Sequence, residues 1–336
     1  MKKARIFFII LLLAVAVFGE KATSLPDISN PKIIEVDHEL LIITEGPSIY
    51  IYALKDFRLL KKFGKKGEGP GEFIIYPNMP LRIKLLPDKF LVNSFGKISY
   101  FTRQANYIKE IKHTVSLGGA NMFPIGDHFA ALSYIRDKKK TFITANIYDS
   151  EFNKIKQIDK FELPLRGPKF RVFEKAILLQ TGKDRIYASG SEDFVIDIFD
   201  YAGKKVHTIN RQYEKVKFTD THKKDALHFY TTSPELKPFA AAISANVLWP
   251  DHFQAIRHFI AADQRLYVQT YLVKDGKTEF YLFDLNGKFL STKWVPLTAG
   301  NFAETLQLYT IHDHKLYQLV DNIDTEEWEL HITDIK

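Results

Sequence analysis

Three groups of residues in this 336-residue chain have types and spacings that could do chemistry. The first is FGKKGEGPGEF at residues 63–73, with four glycines and a proline in a short stretch. Glycine-rich loops cradle phosphates when a helix N-terminus stands behind them. The Walker version also needs Lys-Ser/Thr after its last glycine. Here Glu72-Phe73 occupies that place and no helical periodicity follows, so a carboxylate would repel the phosphate. The loop is expected to turn the chain instead. Gly64, Gly67, Gly69 and Gly71 permit positive φ and Pro70 fixes one dihedral. Glu72 is positioned to accept backbone hydrogen bonds, and Phe73 to plug a cleft between neighbouring structural units.

The second group is the Asp-His doublets at 37–38, 127–128 and 313–314, which resemble pieces of a catalytic relay. No G-x-S-x-G elbow accompanies them, and they recur where a turn recurs, so turn chemistry accounts for them. The third group is histidine- and aromatic-rich: His222, His228, Tyr230, Trp249, Asp251, His252, Arg257 and His258. Of these, His228, Tyr230, Trp249, His252 and Arg257 are the candidate ligand-binding residues, because aromatic faces with polar tips suit a sugar or a peptide. Metal signatures are poor. His222 and His228 are six residues apart, no HExxH occurs, and His312-x-His314 straddles a turn. Glu35, Asn121 and Gln254 make a weak ring for calcium. No catalytic residue, metal ligand or cofactor is assigned, which leaves calcium or zinc open.

The elements that must position these residues are strands. Short runs such as LLIIT, IYIYAL, FLVNS, VIDIFD and FYLFDL recur between turn residues. Six of them open on an aspartate, at Asp37, Asp88, Asp127, Asp184, Asp263 and Asp313, spaced 51, 39, 57, 79 and 50 residues apart. Aspartate bonds its own backbone in tight turns. A second turn per unit, at Ala202-Gly203 and Asn286-Gly287, reads as a two-residue turn of positive φ. Four antiparallel strands repeated about every 50 residues describe a β-propeller blade. The expected fold is therefore all-β: a six-bladed β-propeller over residues 20–336, as a single domain. A β-sandwich would not repeat one turn six times.

The 79-residue spacing predicts a helical insert between blades four and five, at about 213–252, with Asp220 as N-cap and Ser233-Pro234 opening a second helix. The sixth unit has only three strands before Lys336. A segment near 22–31 is expected to supply the fourth, as outermost strand against 328–333, because an open edge invites aggregation. Pro26 and Pro31 are tolerable only there.

Residues 1–19 read as a signal peptide, with Lys2, Lys3 and Arg5 before the apolar run Ile6–Val17. A run of about a dozen is short for a membrane span, which needs ~20 residues. Its removal takes three positive charges from the formal +7 and leaves +4. That mild charge, without a Lys/Arg stripe, argues against nucleic acid as partner. Lys138–Lys140 reads as a solvated hairpin tip. With no cysteine, disulfides and thiolate chemistry are excluded. The expected protein is exported to the periplasm or exterior, without a membrane span once cleaved, and monomeric.

GKKGEGPGEF after a strand, within a six-unit β repeat behind an export signal, resembles the exported six-bladed propellers of the NHL and TolB-like superfamily, especially those of Bacteroidetes-type genomes. The resemblance implies a propeller and export, and says little about activity. The expected function is a non-enzymatic binding or scaffold protein that recognises a peptide, protein or glycan at the insert-bearing face. The alternative is a metal-assisted, lactonase-like hydrolase or lyase on the same fold.

Overall fold

The computed structural model describes residues 21–76, 79–112, 120–138, 140–163, 170–171, 177–233, 236–297 and 307–336. The leader at 1–19 and Pro234 lie outside these residues. Six four-stranded antiparallel sheets form a six-bladed propeller. The innermost strands, in blade order, are Ile33–Val36, Arg82–Leu85, Phe123–Ile125, Leu178–Gly182, His258–Ala262 and Tyr309–His312.

Burial follows position within the blade. Innermost strands alternate, as in Ile33–Val36, where Ile34 and Val36 are buried and Ile33 and Glu35 face the central channel. Second and third strands such as Leu40–Glu45 and Ser48–Ala53 are buried almost throughout, because a neighbouring blade covers each of their faces. The apolar interior is accordingly divided into six wedges, one per blade interface.

The glycine loop supports one wedge. Phe73 is fully buried between blades one and two, in the wedge that also holds Ile42, Phe90 and Phe101. Glu72 accepts the Gly69 amide at 3.0 Å and pairs with Lys65 at 2.8 Å. A Cβ on Gly67 would lie 2.0 Å from the Glu72 carboxylate, so a side chain there would displace that carboxylate from its place in the loop. Buried Lys97 donates to the carbonyls of Glu68 and Gly69 at 3.2 and 2.8 Å. The loop holds the chain in place, and its carboxylate is turned inward onto its own backbone.

The outer turns carry a second packing device. Phe57, Ala105, Phe152, Gly203 and Gly287 all adopt positive φ between the third and fourth strands of their blades. Phe152 and Ala105 insert into the wedge shared with the preceding blade. At Gly203 a Cβ would meet Ile158 and Ile147 of the preceding blade at 2.6 and 2.9 Å. The expected two-residue turns are thus four-residue connections, 201–204 and 285–288, in which only the glycine has positive φ. Soon after each turn comes a β-bulge, leaving Leu60, Ile108, Ile155, Val206 and Leu290 unpaired and exposed on the outermost strands. Bulges twist an edge away from further pairing.

Ring closure occurs as expected, with a shorter strand. Lys21–Ser24 pairs antiparallel with Glu327–Asp334, from Lys21 opposite Ile332 to Ser24 opposite Glu329. The strand stops before Pro26, which has no N–H to give. The chain then stays attached: the Leu25 amide donates to the Trp328 carbonyl at 2.7 Å, and the Trp328 indole donates to the Ser29 carbonyl at 2.9 Å. Leu25 and Ile28 are buried in the wedge between blades six and one. A chain beginning at Lys32 should lose several ladder bonds, each worth ~1 kcal/mol net, plus this burial. We expect a loss of several kcal/mol and a clearly lower melting temperature by calorimetry; an unchanged transition would contradict closure.

Candidate functional site

Every innermost strand starts on the same face of the disc, and the insert between blades four and five enters on that face. The channel along the axis encloses about 520 Å³. Buried Ile83, Leu179 and Phe259 alternate with Arg82 and Lys84, Leu178 and Gln180, and His258 and Ile260, which line the channel. Near the insert face the wall therefore carries Ile33, Arg82, Leu178 and His258. One layer deeper it carries Glu35, Lys84, Pro124, Gln180, Ile260 and Thr310.

The deeper layer is held by an ion pair between blades one and two, with Lys84 Nζ 3.0 and 3.3 Å from the Glu35 carboxylate oxygens. Burial lowers the Arg82 pKa, offset slightly by the neighbouring Tyr134. Across the channel, burial and then the Arg257 charge hold His258 down at about 4. His258 is neutral at physiological pH and stands edge-on to the Tyr309 ring at 5.9 Å. Burial also raises the Tyr309 phenol well above its ordinary range.

A belt of polar side chains surrounds this mouth. The second-strand residue paired with the first residue of the innermost strand is Thr44, Asn93, Ser189, Gln269 or Gln318 in five of the blades. All five are buried. Two of them join adjacent blades: Asn93 donates to the Ala120 carbonyl at 2.8 Å, and Tyr309 donates to Gln269 Oε1 at 2.8 Å. A buried polar group needs such a partner, so the belt sets the relative position of blades at the channel mouth.

The insert is a closed excursion. The Phe218 amide donates to the Asp251 carbonyl and the Phe253 amide to the Val216 carbonyl, both at 2.9 Å, forming its neck. Val247–Leu248 pairs in parallel with Phe170–Arg171, tying the insert to the connection between blades three and four. Its first helix is Asp220–Thr232, and its N-cap is Thr219 rather than Asp220. Thr219 is extended and exchanges capping bonds with His222, whereas Asp220 lies in the first turn and pairs with Lys223 at 2.8 Å. Ser233 ends that helix as its C-cap, and the second helix is Ala240–Asn246. The Ser233 amide bonds the Phe229 carbonyl behind it, and the Ser233 carbonyl accepts the Leu236 and Lys237 amides ahead of it at 3.1 and 2.9 Å.

The five candidate ligand residues are dispersed. Trp249 stacks on Phe218 at 5.7 Å, and Phe218 meets Phe253, which stacks on Tyr271 at 4.4 Å. Trp249 therefore belongs to an aromatic row that fixes the insert to blade five. His228 and His252 are at the surface, His252 at the neck. Tyr230 lies against Phe229, and burial pushes its phenol up to about 12. Arg257 lies over the Tyr271 ring, one residue before channel-lining His258. Arg82, Lys84, Gln180 and Thr310 were missed by sequence reasoning. Their signal was present in the alternation of the innermost strands, where a polar residue marks the channel side.

The Asp-His doublets behave as turn residues. Asp37 accepts the Glu39 and Leu40 amides at 2.9 Å and pairs with Arg103 at 2.7 Å. Burial pushes its carboxyl up, but the Arg103 and backbone hydrogen bonds together hold it below the usual value. Asp127 bonds the Tyr201 hydroxyl of the next blade, and the His314 amide donates to Asp263 at 2.7 Å. Asn121 and Glu35 line the channel, while Gln254 donates to the Ile256 carbonyl at 2.8 Å. Among the described residues no cluster of three or more His, Asp or Glu could hold a metal ion.

No protein-family model and no curated protein matches the chain. Its fold is similar to that of a candidate exported protein from Bacteroides fragilis NCTC 9343, at 15% identity and TM-score 0.54, covering 96% of this chain and 97% of the other. It is also similar to a member of the DUF4221 family from Bacteroides vulgatus ATCC 8482, at 11% identity and TM-score 0.51, covering 95% and 96%. At such identities the likeness is one of fold.

His258 makes a pH dependence. Its pKa of about 4 lies below the ordinary 6.5, so the unfolded chain binds more protons between those values and stability falls as pH drops through them. The loss should reach about 2–3 kcal/mol at pH 4. His258→Phe should flatten the difference in denaturant midpoint between pH 6.5 and 4 relative to the parent; parallel profiles would contradict it.

Proposed function

We propose that this chain is an exported, non-enzymatic binding protein of the NHL/TolB-like kind, whose ligand, a glycan or a peptide, enters the channel from the insert-bearing face. The observation that carries this reading is the 520 Å³ cavity on the propeller axis. Ligand sites are concave and few, with a small number of polar groups fixing orientation. Here those groups are Arg82, Gln180 and Thr310 in a wall that also offers Ile33, Leu178 and Ile260. The insert and its aromatic row stand on the same face, where Arg257 and Trp249 extend the surface available to a longer ligand. Export is supported by the apolar leader and by the similarity of fold to a candidate exported protein.

Purified protein should bind members of a glycan or peptide array, and Gln180→Leu should weaken that binding about tenfold, near 1.4 kcal/mol, without lowering the melting temperature. A hydrolase or lyase of the lactonase kind would be stabilised by calcium or zinc, since a ligand of the folded state raises its melting temperature. A clear shift with either ion, together with metal in the purified protein, would overturn the binding-protein reading.

A further inference from the structure

The apolar run Ile6–Val17 ends four residues before the closing strand begins at Lys21. Lys21 stands opposite Ile332, two residues from the end of the third strand of blade six, so the chain enters the disc on the face opposite the insert. All the turns on that face lie within the described residues. Four residues span at most about 14 Å, and a head-group layer is roughly 5–7 Å deep. While the run is seated in a bilayer, Lys21 is therefore held within about 9 Å of the head groups. The edge of the disc around it then lies against them.

Blades five and one flank that entry. On blade five the turn 285–288 leads into Phe289–Val295, where Phe289, Leu290 and Trp294 are 38%, 46% and 38% exposed. Among the described residues no other outermost strand exposes three large apolar side chains. Beside Trp294 a groove of about 430 Å³ opens between blades five and six, with Pro296 and Ile335 in its wall. The outer turns of blades one and five present Lys55, Arg58 and Lys288 to solvent. The carboxylates nearby are bound to backbone: Asp56, Asp284 and Asp334 each accept amides two to four residues on. Tryptophan and long basic side chains settle at head-group depth, with the apolar part at the acyl boundary and the charge at the phosphates. The far end of blade six, the hairpin joining its second and third strands, carries Asp321, Asp324, Glu326 and Glu327, which phosphates would repel.

We propose that the edge of the disc formed by blades five, six and one, on the face away from the insert, docks on a phospholipid bilayer. Trp294, Phe289 and Leu290 meet the acyl boundary, and Lys55, Arg58 and Lys288 meet the phosphates. The channel mouth then opens away from the membrane. The inference does not rest on what the channel binds.

The test is fluorescence of the full 336-residue chain reconstituted into phosphatidylethanolamine–phosphatidylglycerol vesicles whose acyl chains carry bromine, a quencher that acts at contact. The chain has three tryptophans, Trp249 on the insert, Trp294 on the proposed edge and Trp328 on blade six. Emission should fall relative to unbrominated vesicles. Trp294→Phe should abolish most of that quenching, and Trp249→Phe should leave it in place. Should Trp294→Phe fail to fold, Leu290→Glu, which changes an exposed side chain, should reduce the quenching severalfold. Quenching that survives Trp294→Phe and is lost in Trp249→Phe would put the insert on the membrane and overturn the proposal. An inserted chain without quenching, quenching that neither Trp294→Phe nor Leu290→Glu alters, or a chain that does not associate with the vesicles overturns it as well. Each of these outcomes leaves the channel reading standing.

Discussion

The structure depends on the pairing of Lys21–Ser24 with Glu327–Asp334. A propeller blade is buried on both faces only while it has a neighbour on each side, so a ring of six wedges exists only if the ring closes. Without that pairing the sixth blade would end on an open edge, and the wedge holding Leu25, Ile28, Tyr317 and Leu330 would be incomplete. Contacts between residues some 300 apart, such as Ser24 with Glu327 and Ser29 with Trp328, make that closure a long-range event. Loop-closure entropy opposes such contacts until many form together.

Closure also creates the channel. Six innermost strands turn alternate side chains towards one axis, so residues far apart in sequence share a small volume there. Glu35 and Lys84 come from different blades, as do His258 and Tyr309. The buried polar belt at the mouth adds hydrogen bonds between blades to the apolar packing of the wedges. Asn93 and Gln269 each have a partner beyond their own blade, and apolar side chains would leave those partners unmatched. The same belt leaves the Gln269 amide nitrogen without a hydrogen bond among the described residues, a cost the wall carries close to the proposed ligand mouth.

The glycine loop and the insert are two answers to one problem, the connection from an outermost strand to the next innermost one. Between blades one and two the chain uses positive-φ glycines and an internal Glu72–Gly69 bond. Between blades four and five it makes a helical excursion with a paired neck at Val216–Phe218 and Asp251–Phe253. The first fixes a wedge. The second fixes a helical segment to blade five on the face where the innermost strands begin.

The architecture was legible in the sequence because its causes are local and repeated. An aspartate recurs at the entry of six strands, Asp37 accepting two amides of its own turn, and the period of strands and turns needs no tertiary information. Glu72 was readable for the same reason: its carboxylate bonds Gly69 and Lys65 within ten residues. The candidate site was far less legible. Trp249 and His252 look alike as ligand candidates in sequence, yet the fold stacks Trp249 on Phe218 and leaves the His252 side chain exposed at the neck, where its backbone pairs with Lys217. Thr219 rather than Asp220 became the helix cap because the neck at Phe218 holds Thr219 extended. Arg82, Gln180 and Thr310 look ordinary until closure brings three blades to one axis. The sequence alone thus determined the repeat, the turns and the need for a closing strand, which follow from neighbouring residues. Tertiary structure decided which side chains share the channel, because that depends on the geometry of the whole ring.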